Sequence, residues 1–390
     1  WCWALVRSQL LLAPLMAAAV LVAFGRVAPA APLINLVAVP WVSSVMVPIA
    51  LLGWLLSPLP MVGEAVWQLF EQALSVFHLL LTLVVQHWPL WEPDRSLTYP
   101  LALALLLLSL CWGLPAVLPS LRLAASALIV ALPWWSLPSS IPPNALRVSV
   151  HDVGQGQLIE LRSAHYRLLY DTGPRFRSGF MPLEALWSPG QLFDQVLVSH
   201  ADNDHAGGIS ALLADHRVKQ WMAPAGEALP ISGIDCQRGQ TWQRDGVSYR
   251  ILWPPAGDND LSANDRSCVL EVSAGEQRLL ITGDVSTEVE RRFLREVEPP
   301  VSVLVAGHHG SGTSSGIQFV RSIAPEHVIF SAGRSNAFQH PVDSVVRRFR
   351  QQGSCLWNTA HDGALRFWLK AAQPIQVETT RPLPGRRNQC

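Results

Sequence analysis

Four side chains able to bind a metal fall within six consecutive residues: His200, Asp202, Asp204 and His205. In an extended loop, residues i and i+2 point the same way, so His200 and Asp202 can hold one cation. Asp204 and His205, on the turn into a following helix, can aim at a second. Two carboxylates and two imidazoles packed this closely repel one another unless cations compensate them. A polar loop with satisfied histidines is the bland alternative, and it would be preferred for one His. Four ligands in this pattern at the end of a strand weigh against it. The chemistry such a pair of cations offers is activation of a water and stabilisation of both oxygens of an in-line phosphoryl displacement.

The loop needs a strand before it and a turn after it. The apolar run at residues 193–199, centred on Val196, Leu197 and Val198, reads as a buried strand of the parallel kind. Gly207 and Gly208 let the backbone turn sharply into a helix at 209–216. Two later stretches repeat the design of a strand ending in polar groups, Gly283-Asp284 and the pair His308-His309, and Asn336 followed by His340-Pro341 supplies a last His before a helix. Further strands are expected at 146–153, 157–161, 166–170, 219–223, 248–253, 268–273, 278–282, 301–306, 327–331 and 364–369. Helices are expected at 287–297, 317–323 and 342–351. Strand-rich halves with helices between and after them suggest two sheets flanked by helices.

Composition divides the chain. Residues 1–143 carry only eight charged side chains, and ten of the 16 Trp lie there. The remainder carries 25 basic and 25 acidic residues, so bulk attraction to nucleic acid is not indicated. Apolar segments at 4–24, 34–56, 101–118 and 121–135 suit a membrane. The segment 61–87 is different, because Glu64, Gln68, Glu71, Ser75 and His78 share a helical face. That stripe faces a water-filled path, or the helix lies at the interface. Basic residues are too evenly spread to decide orientation. The chain opens at Trp1 without Met, which suggests a fragment of a longer protein. The six Cys show no CxxC spacing, and no disulfide framework follows from them.

The loop is similar to the HxHxDH signature of the metallo-β-lactamase superfamily, with Asp202 at the second His. That variant, continued by Ala206, Gly207 and Gly208, resembles the ComEC/Rec2 family of DNA-internalisation competence proteins. Asp152-Val153-Gly154-Gln155-Gly156, Asp171-Thr172-Gly173, Asn264 with Ser267, His308 to Ser311, and Asn336 with His340-Pro341 resemble that family's strings. The resemblance implies a helical transmembrane region followed by an αββα metallo-β-lactamase-like sandwich. Boundaries are expected as 1–137 for the membrane region, 138–145 for a linker, 146–372 for the sandwich and 373–390 for a disordered tail.

The resemblance also implies a site. Its metal ligands would be His200, Asp202, Asp204, His205, Asp284, His340 and His308, with Asp284 bridging two divalent ions. Asp204, His308 and His309 are the catalytic candidates, either His serving as general acid or phosphate contact. Asp152, Asp171, Asn264, Ser267 and Asn336 are expected in the outer shell, Asp171 orienting a ligand His. Superfamily hydrolases place a His between the main loop and the bridging Asp; here only His216 lies there, badly placed on a helix. Asn264 or Ser267 stands near that position, or one of His308 and His309 fills it. Asp202 makes the first site richer in hard oxygen, which favours Mn²⁺ or Mg²⁺ without excluding Zn²⁺.

The expected protein sits in the bacterial inner membrane with its hydrolase domain on the periplasmic side. Its partners would be single-stranded DNA, membrane lipid and other competence proteins, with one strand transported and the other degraded. Two rivals stand beside this reading: a hydrolase of small esters or lactones, and a DNA-binding or gating domain without activity. Arg291, Arg292 and Arg295, and Arg347, Arg348 and Arg350, could guide DNA, although such clusters are more often solvated helix faces.

Overall fold

The computed structural model describes residues 2–88, 91, 93, 95–135, 141–187, 189–257 and 260–381. The chain divides into two compact units, residues 1–140 and 141–390.

The first unit is helical. Helix Cys2–Phe24 packs against Arg95–Gly113 through Ala18, Leu21, Leu101, Ala102 and Leu105. The Ser109 hydroxyl donates to the Leu11 carbonyl at 2.7 Å across the same pair. Residues 31–56 form one continuous helical rod in three parts: Ala31–Trp41, a π turn at Val42–Met46, and Val47–Leu56. The prolines explain the π turn. Pro40 and Pro48 remove two backbone donors, and the wider turn between them rejoins the ladder through the Val47 N–H to Val42. Helix Pro60–His87 lies against this rod, with Trp67 filling the space beside Gly53. Glu64, Gln68, Glu71, Ser75 and His78 all lie on the exposed side of the unit, and Gly63 and Ala73 are buried.

Segments 6–24, 31–56 and 60–84 are long and apolar enough to cross a membrane. The helix expected at 101–118 runs instead from Arg95 to Gly113, because Pro115 and Pro119 follow too closely for it to continue. Pro119 then occupies the first position of the last helix, Pro119–Trp135, where a missing N–H costs nothing.

The second unit is four layers deep. One sheet runs in the order Gln376–Thr379, Leu365–Lys370, Ala145–Val150, Ile159–Arg162, Arg167–Tyr170, Gln195–Leu197, Trp221–Ala223, Ile234–Asp235. The other runs Cys355–Asn358, His327–Phe330, Val303–Val305, Gln277–Ile281, Val269–Ala274, Val247–Trp253, Thr241–Arg244. A core including Val148, Leu168, Tyr249, Leu270 and Phe367 lies between the sheets. Helices Thr287–Phe293, Ile317–Ile323 and Asp343–Gln351 cover the second sheet over Phe293, Phe319 and Phe349. Pro182–Leu186 and Ile209–Asp215 cover the first over Leu183 and Leu212. This is the expected two-sheet sandwich between helices.

Strands Arg167–Tyr170 and Gln195–Leu197 pair in parallel, as do Gln277–Ile281, Val303–Val305 and His327–Phe330. Parallel strands end on one edge, so the segments that follow them meet there. The disulfide Cys236–Cys268 joins the first sheet's edge to the start of Val269–Ala274, where the sequence offered no pairing. Residues 376–379, expected in the tail, add a strand to Leu365–Lys370, because Ile375 and Val377 alternate onto the core. Residues 382–390 of that tail, and 138–140 of the linker, lie outside the described residues. Ala145, assigned to the linker, already pairs with Lys370.

Candidate metal centre

Each functional side chain stands just beyond the end of a parallel strand. Asp171 follows Arg167–Tyr170 directly, and His200 follows Gln195–Leu197 by three residues. Asp202 precedes a single helical turn, Asn203–Ala206, that carries Asp204 and His205. Asp284 follows Gln277–Ile281 through Gly283, whose φ is +56° and where a Cβ would strike Ser267. His308 and His309 follow Val303–Val305, both with left-handed φ of 50° and 55°. The His308 N–H donates to the Gly283 carbonyl at 3.0 Å, tying the two loops together.

Two groups of ligand atoms result, His200 with His205 and Asp284, and Asp204 with His205 and His309. In the second, His309 Nε2 lies 3.2 Å from Asp204 Oδ2 and 3.2 Å from His205 Nε2. Both rings are fixed from behind: His205 Nδ1 is 2.7 Å from Asp171 Oδ2, and His309 Nδ1 is 2.8 Å from the Ser331 carbonyl. With each Nδ1 proton so held, the two Nε2 lone pairs face one another and require a cation or a shared proton. Asp171 is itself held, accepting from the Ser199 N–H at 2.6 Å and from Gln157 Nε2 at 3.0 Å.

The first group is looser. His200 is fully buried, yet neither its Nε2 nor Asp284 Oδ1 makes a well-formed hydrogen bond among the described residues; Asp284 Oδ1 lies 3.3 Å from His205 Nε2. Orphaned buried acceptors of this kind, converging on one point, are what a metal ligand set presents without its ion. His200 Nδ1 is 3.0 Å from Ser199 Oγ and 3.3 Å from Ser267 Oγ, hydroxyls rather than a carboxylate. Asp202 stands half exposed, its Oδ2 3.5 Å from His200 Nε2. The residues fit divalent-metal binding: His200, His205 and Asp284 form one ligand group, Asp204, His205 and His309 the other, and His205 belongs to both.

Electrostatics agree. Burial disfavours the Asp284 carboxylate, but the His205, His309 and His200 imidazoles outweigh it and hold its pKa far below the usual range. Burial likewise opposes ionisation of Asp204, and the hydrogen bond from His309 with the charge of His205 brings it down to about 2. Burial penalises charged His205, yet Asp284 and Asp171 raise its pKa well above the ordinary value. His200 is lowered, first by burial and then by His205. The site is built around concentrated negative charge that wants a positive counterpart.

The paired histidines divide. His309 is buried among the ligands. His308 is 28% exposed, with Nδ1 3.2 Å from the Thr313 hydroxyl and Nε2 3.7 Å from Asp284. His309, rather than the His308 named among the expected ligands, thus lies in a candidate ligand group, because the left-handed turn swings successive side chains apart. His340, expected as a ligand, lies in neither group. Its ring is 5.7 Å from that of His308 and stacks on Phe338 at 5.6 Å. Asn336 pins this loop, accepting from the His340 N–H at 2.9 Å and donating to its carbonyl at 2.7 Å. A cavity of about 410 Å³ opens beside it, lined in part by Arg334, Gln339, Arg350 and Trp357.

Of the expected outer shell, Asp171 and Ser267 touch ligand residues. Asp152 does not: it accepts from the Gly154 N–H at 3.4 Å and pairs with Arg381 at 2.7 Å, a partner lying in the stretch read as tail. Asn264 meets Ser267 through its backbone carbonyl, 3.0 Å from the Ser267 N–H. Gln157, which stands where family members often have Asp, supports Asp171, and Ser199 is a further support that sequence reasoning missed. His216 packs on Phe193, away from the ligand groups. Arg291 and Arg292 face Glu288 on their own helix, and Arg348 donates to the Ser315 carbonyl at 3.0 Å, so these three are already engaged within the domain.

Residues 1–136 match the family described as Competence protein, and residues 152–333 match the metallo-β-lactamase superfamily. The chain is 35% identical over 358 residues to Competence protein ComA of Neisseria gonorrhoeae, covering 89% of this chain and 49% of that protein. It is 33% identical over 225 residues to Recombination protein 2 of Haemophilus influenzae, covering 56% and 28%. The chain thus spans at most about half the length of these two relatives. Among solved structures, the metallo-β-lactamase fold protein YhfI from Bacillus subtilis aligns at 14% identity and TM-score 0.36, covering 55% of this chain and 95% of that one.

Proposed function

Because this chain belongs to the ComEC/Rec2 competence family and joins that family's membrane segment to a metallo-β-lactamase superfamily domain, we propose that it acts in DNA uptake as a metal-dependent phosphodiesterase on one DNA strand. The observation that carries the reading is the convergence of His200 Nε2, Asp284 Oδ1 and the facing His205 and His309 nitrogens at one strand edge. Divalent ions held by His200, His205, Asp284, Asp204 and His309, whether Mn²⁺, Zn²⁺ or Mg²⁺, would supply Lewis acidity and lower the pKa of an attacking water.

The chain's own residues do the rest. Asp171 and the Ser331 carbonyl keep the Nδ1 protons of His205 and His309 in place, so both Nε2 atoms face the centre. His308, oriented by Thr313 and open to solvent, delivers a proton to the leaving oxygen of the cleaved ester or holds the phosphate. The membrane unit contributes to a path for the other strand, with the polar face of Pro60–His87 towards it. The domain lies on the periplasmic side of the inner membrane, where a disulfide such as Cys236–Cys268 forms and persists. Other competence proteins deliver the DNA.

The test uses the full chain in detergent or nanodiscs, loaded with Mn²⁺ or Zn²⁺ and given labelled single-stranded DNA. Divalent-dependent cleavage that EDTA abolishes is expected. Metallated protein that leaves DNA intact but hydrolyses small esters would replace this reading with the ester hydrolase.

A further inference from the structure

Beside the metal loop, residues 174–180 form a tight surface turn whose composition the proposed chemistry does not use. Arg175, Phe176, Arg177 and Phe180 are all exposed. Phe176 and Phe180 keep 41% and 47% of their surface in solvent. Their rings are nearly parallel, 12° apart with centroids at 6.2 Å. The turn is closed by the Phe176 N–H to the Phe180 carbonyl and the Gly179 N–H to the Phe176 carbonyl, both 2.9 Å. Two phenyl rings are thus held in fixed orientation at the surface with little gain from burial. Among the described residues neither Arg175 nor Arg177 has a carboxylate partner.

The turn is anchored to the catalytic loop. Asn203, between Asp202 and Asp204, donates its side-chain amide to the Arg175 carbonyl at 3.1 Å. The Gly208 N–H donates to the Gly173 carbonyl at 3.0 Å, and a methyl on Gly207 would strike the Arg175 backbone. Phe176 reaches over Gly154, whose Cβ would come within 3.3 Å of its ring. Gly333 packs on the same Gly154-Gln155 turn and begins the loop of Phe338, 65% exposed, which stacks on His340 beside His308. Exposed aromatic rings and arginines therefore occur on two loops that share one support at the rim of the centre.

We propose that Phe176 and Phe180, with Arg175 and Arg177, form a stacking platform for single-stranded nucleic acid, positioning the strand for the metal centre. Unpaired bases stack on the phenyl faces and phosphates lie against the guanidiniums. Every base has a π face, so the platform tolerates sequence; a duplex hides those faces and is not gripped. A membrane interface would be served better by Trp or Tyr than by Phe. The platform rests on the reading of the centre as one that acts on nucleic acid, and the two are separable by experiment.

The full chain in neutral-lipid nanodiscs is titrated in EDTA against a fluorescent oligo(dT) of roughly twelve nucleotides, within the range that small single-strand sites span. Fluorescence anisotropy gives Kd without cleavage. Phe176→Ala and Phe180→Ala should each weaken binding about tenfold, while Phe176→Tyr and Phe180→Tyr retain it. Arg175→Ala with Arg177→Ala should weaken binding and flatten its salt dependence. Duplex affinity should not change. Unchanged single-strand Kd in the Phe→Ala variants, or equal loss for duplex, overturns the platform. So does intact DNA binding in variants that no longer bind vesicles of anionic lipid, which would make the turn a membrane contact. Cleavage by wild-type protein in Mn²⁺ is scored separately: cleavage with unchanged binding in the variants removes the platform alone, and platform-dependent binding without cleavage removes the phosphodiesterase alone.

Discussion

The two ligand groups of the centre share His205 but are built differently. Around His205 and His309 both imidazoles are buried and backed: Asp171 and Ser331 fix them, and Gln157 and Ser199 fix Asp171 in turn, while Asp204 stays partly exposed. Around His200 the backing is two hydroxyls, Ser199 at 3.0 Å and Ser267 at 3.3 Å from Nδ1, and the carboxylate of Asp202 is half exposed. A rigid, nitrogen-bearing half would hold an ion by pre-organisation, whereas an open, oxygen-rich half would favour hard ions at lower affinity. The contrast assigns anchoring to one half and adaptation to the other.

The largest effect should distinguish the two carboxylates of the loop. Asp204→Ala, like Asp284→Ala, is expected to abolish divalent-dependent turnover, beyond the roughly 100-fold that outer-shell changes cost. Asp202→Ala should stay within that roughly 100-fold, with the second ion retained. Equal losses of activity and metal in Asp202→Ala and Asp204→Ala would break the comparison.

Next comes the histidine pair. His309→Ala should lose metal stoichiometry by elemental analysis, since its Nε2 sits 3.2 Å from both Asp204 and His205. His308→Ala should keep both ions and lose turnover by roughly 10²–10⁴-fold as a missing general acid. Two fully metallated and fully active variants would sink both roles.

The smallest effect sharpens the adaptive half. Ser267→His or Asp202→His introduces a nitrogen beside His200 and should move preference from Mn²⁺ toward Zn²⁺. Competition titrations showing the same preference as wild type would mean that ligand hardness does not govern this half.

Much of the fold was legible because its strands are apolar and its loops are not. The run Val196-Leu197-Val198 could hardly be anything but buried, and residues 317–323 form the helix that their pattern predicts. Short edge strands were harder. Thr241–Arg244 pairs with Val247–Trp253 around Asp245 and Gly246, both at positive φ, a hairpin signal present in the sequence but overlooked. Gln376–Thr379 was hidden for another reason: Ile375 and Val377 are too few to announce a strand, and they form one only because Leu365–Lys370 offers an unpaired edge.

The sequence by itself determined the ligand chemistry, since residue type and spacing dictate what His200, Asp202, Asp204 and His205 can bind. It also determined the division into an apolar helical part and a charged sandwich, because burial and solvation follow composition. Only the tertiary structure decided which distant groups meet. Parallel pairing aligns Asp171 with His200 on the first sheet and Asp284, His309 and Ser331 on the second, and the facing of the two sheets brings these ends together across well over a hundred residues. The left-handed backbone at residues 308 and 309 then chooses His309 over its neighbour, and Asp152 turns away to Arg381. Such choices depend on chain direction and a few backbone angles, which no local pattern of side chains encodes.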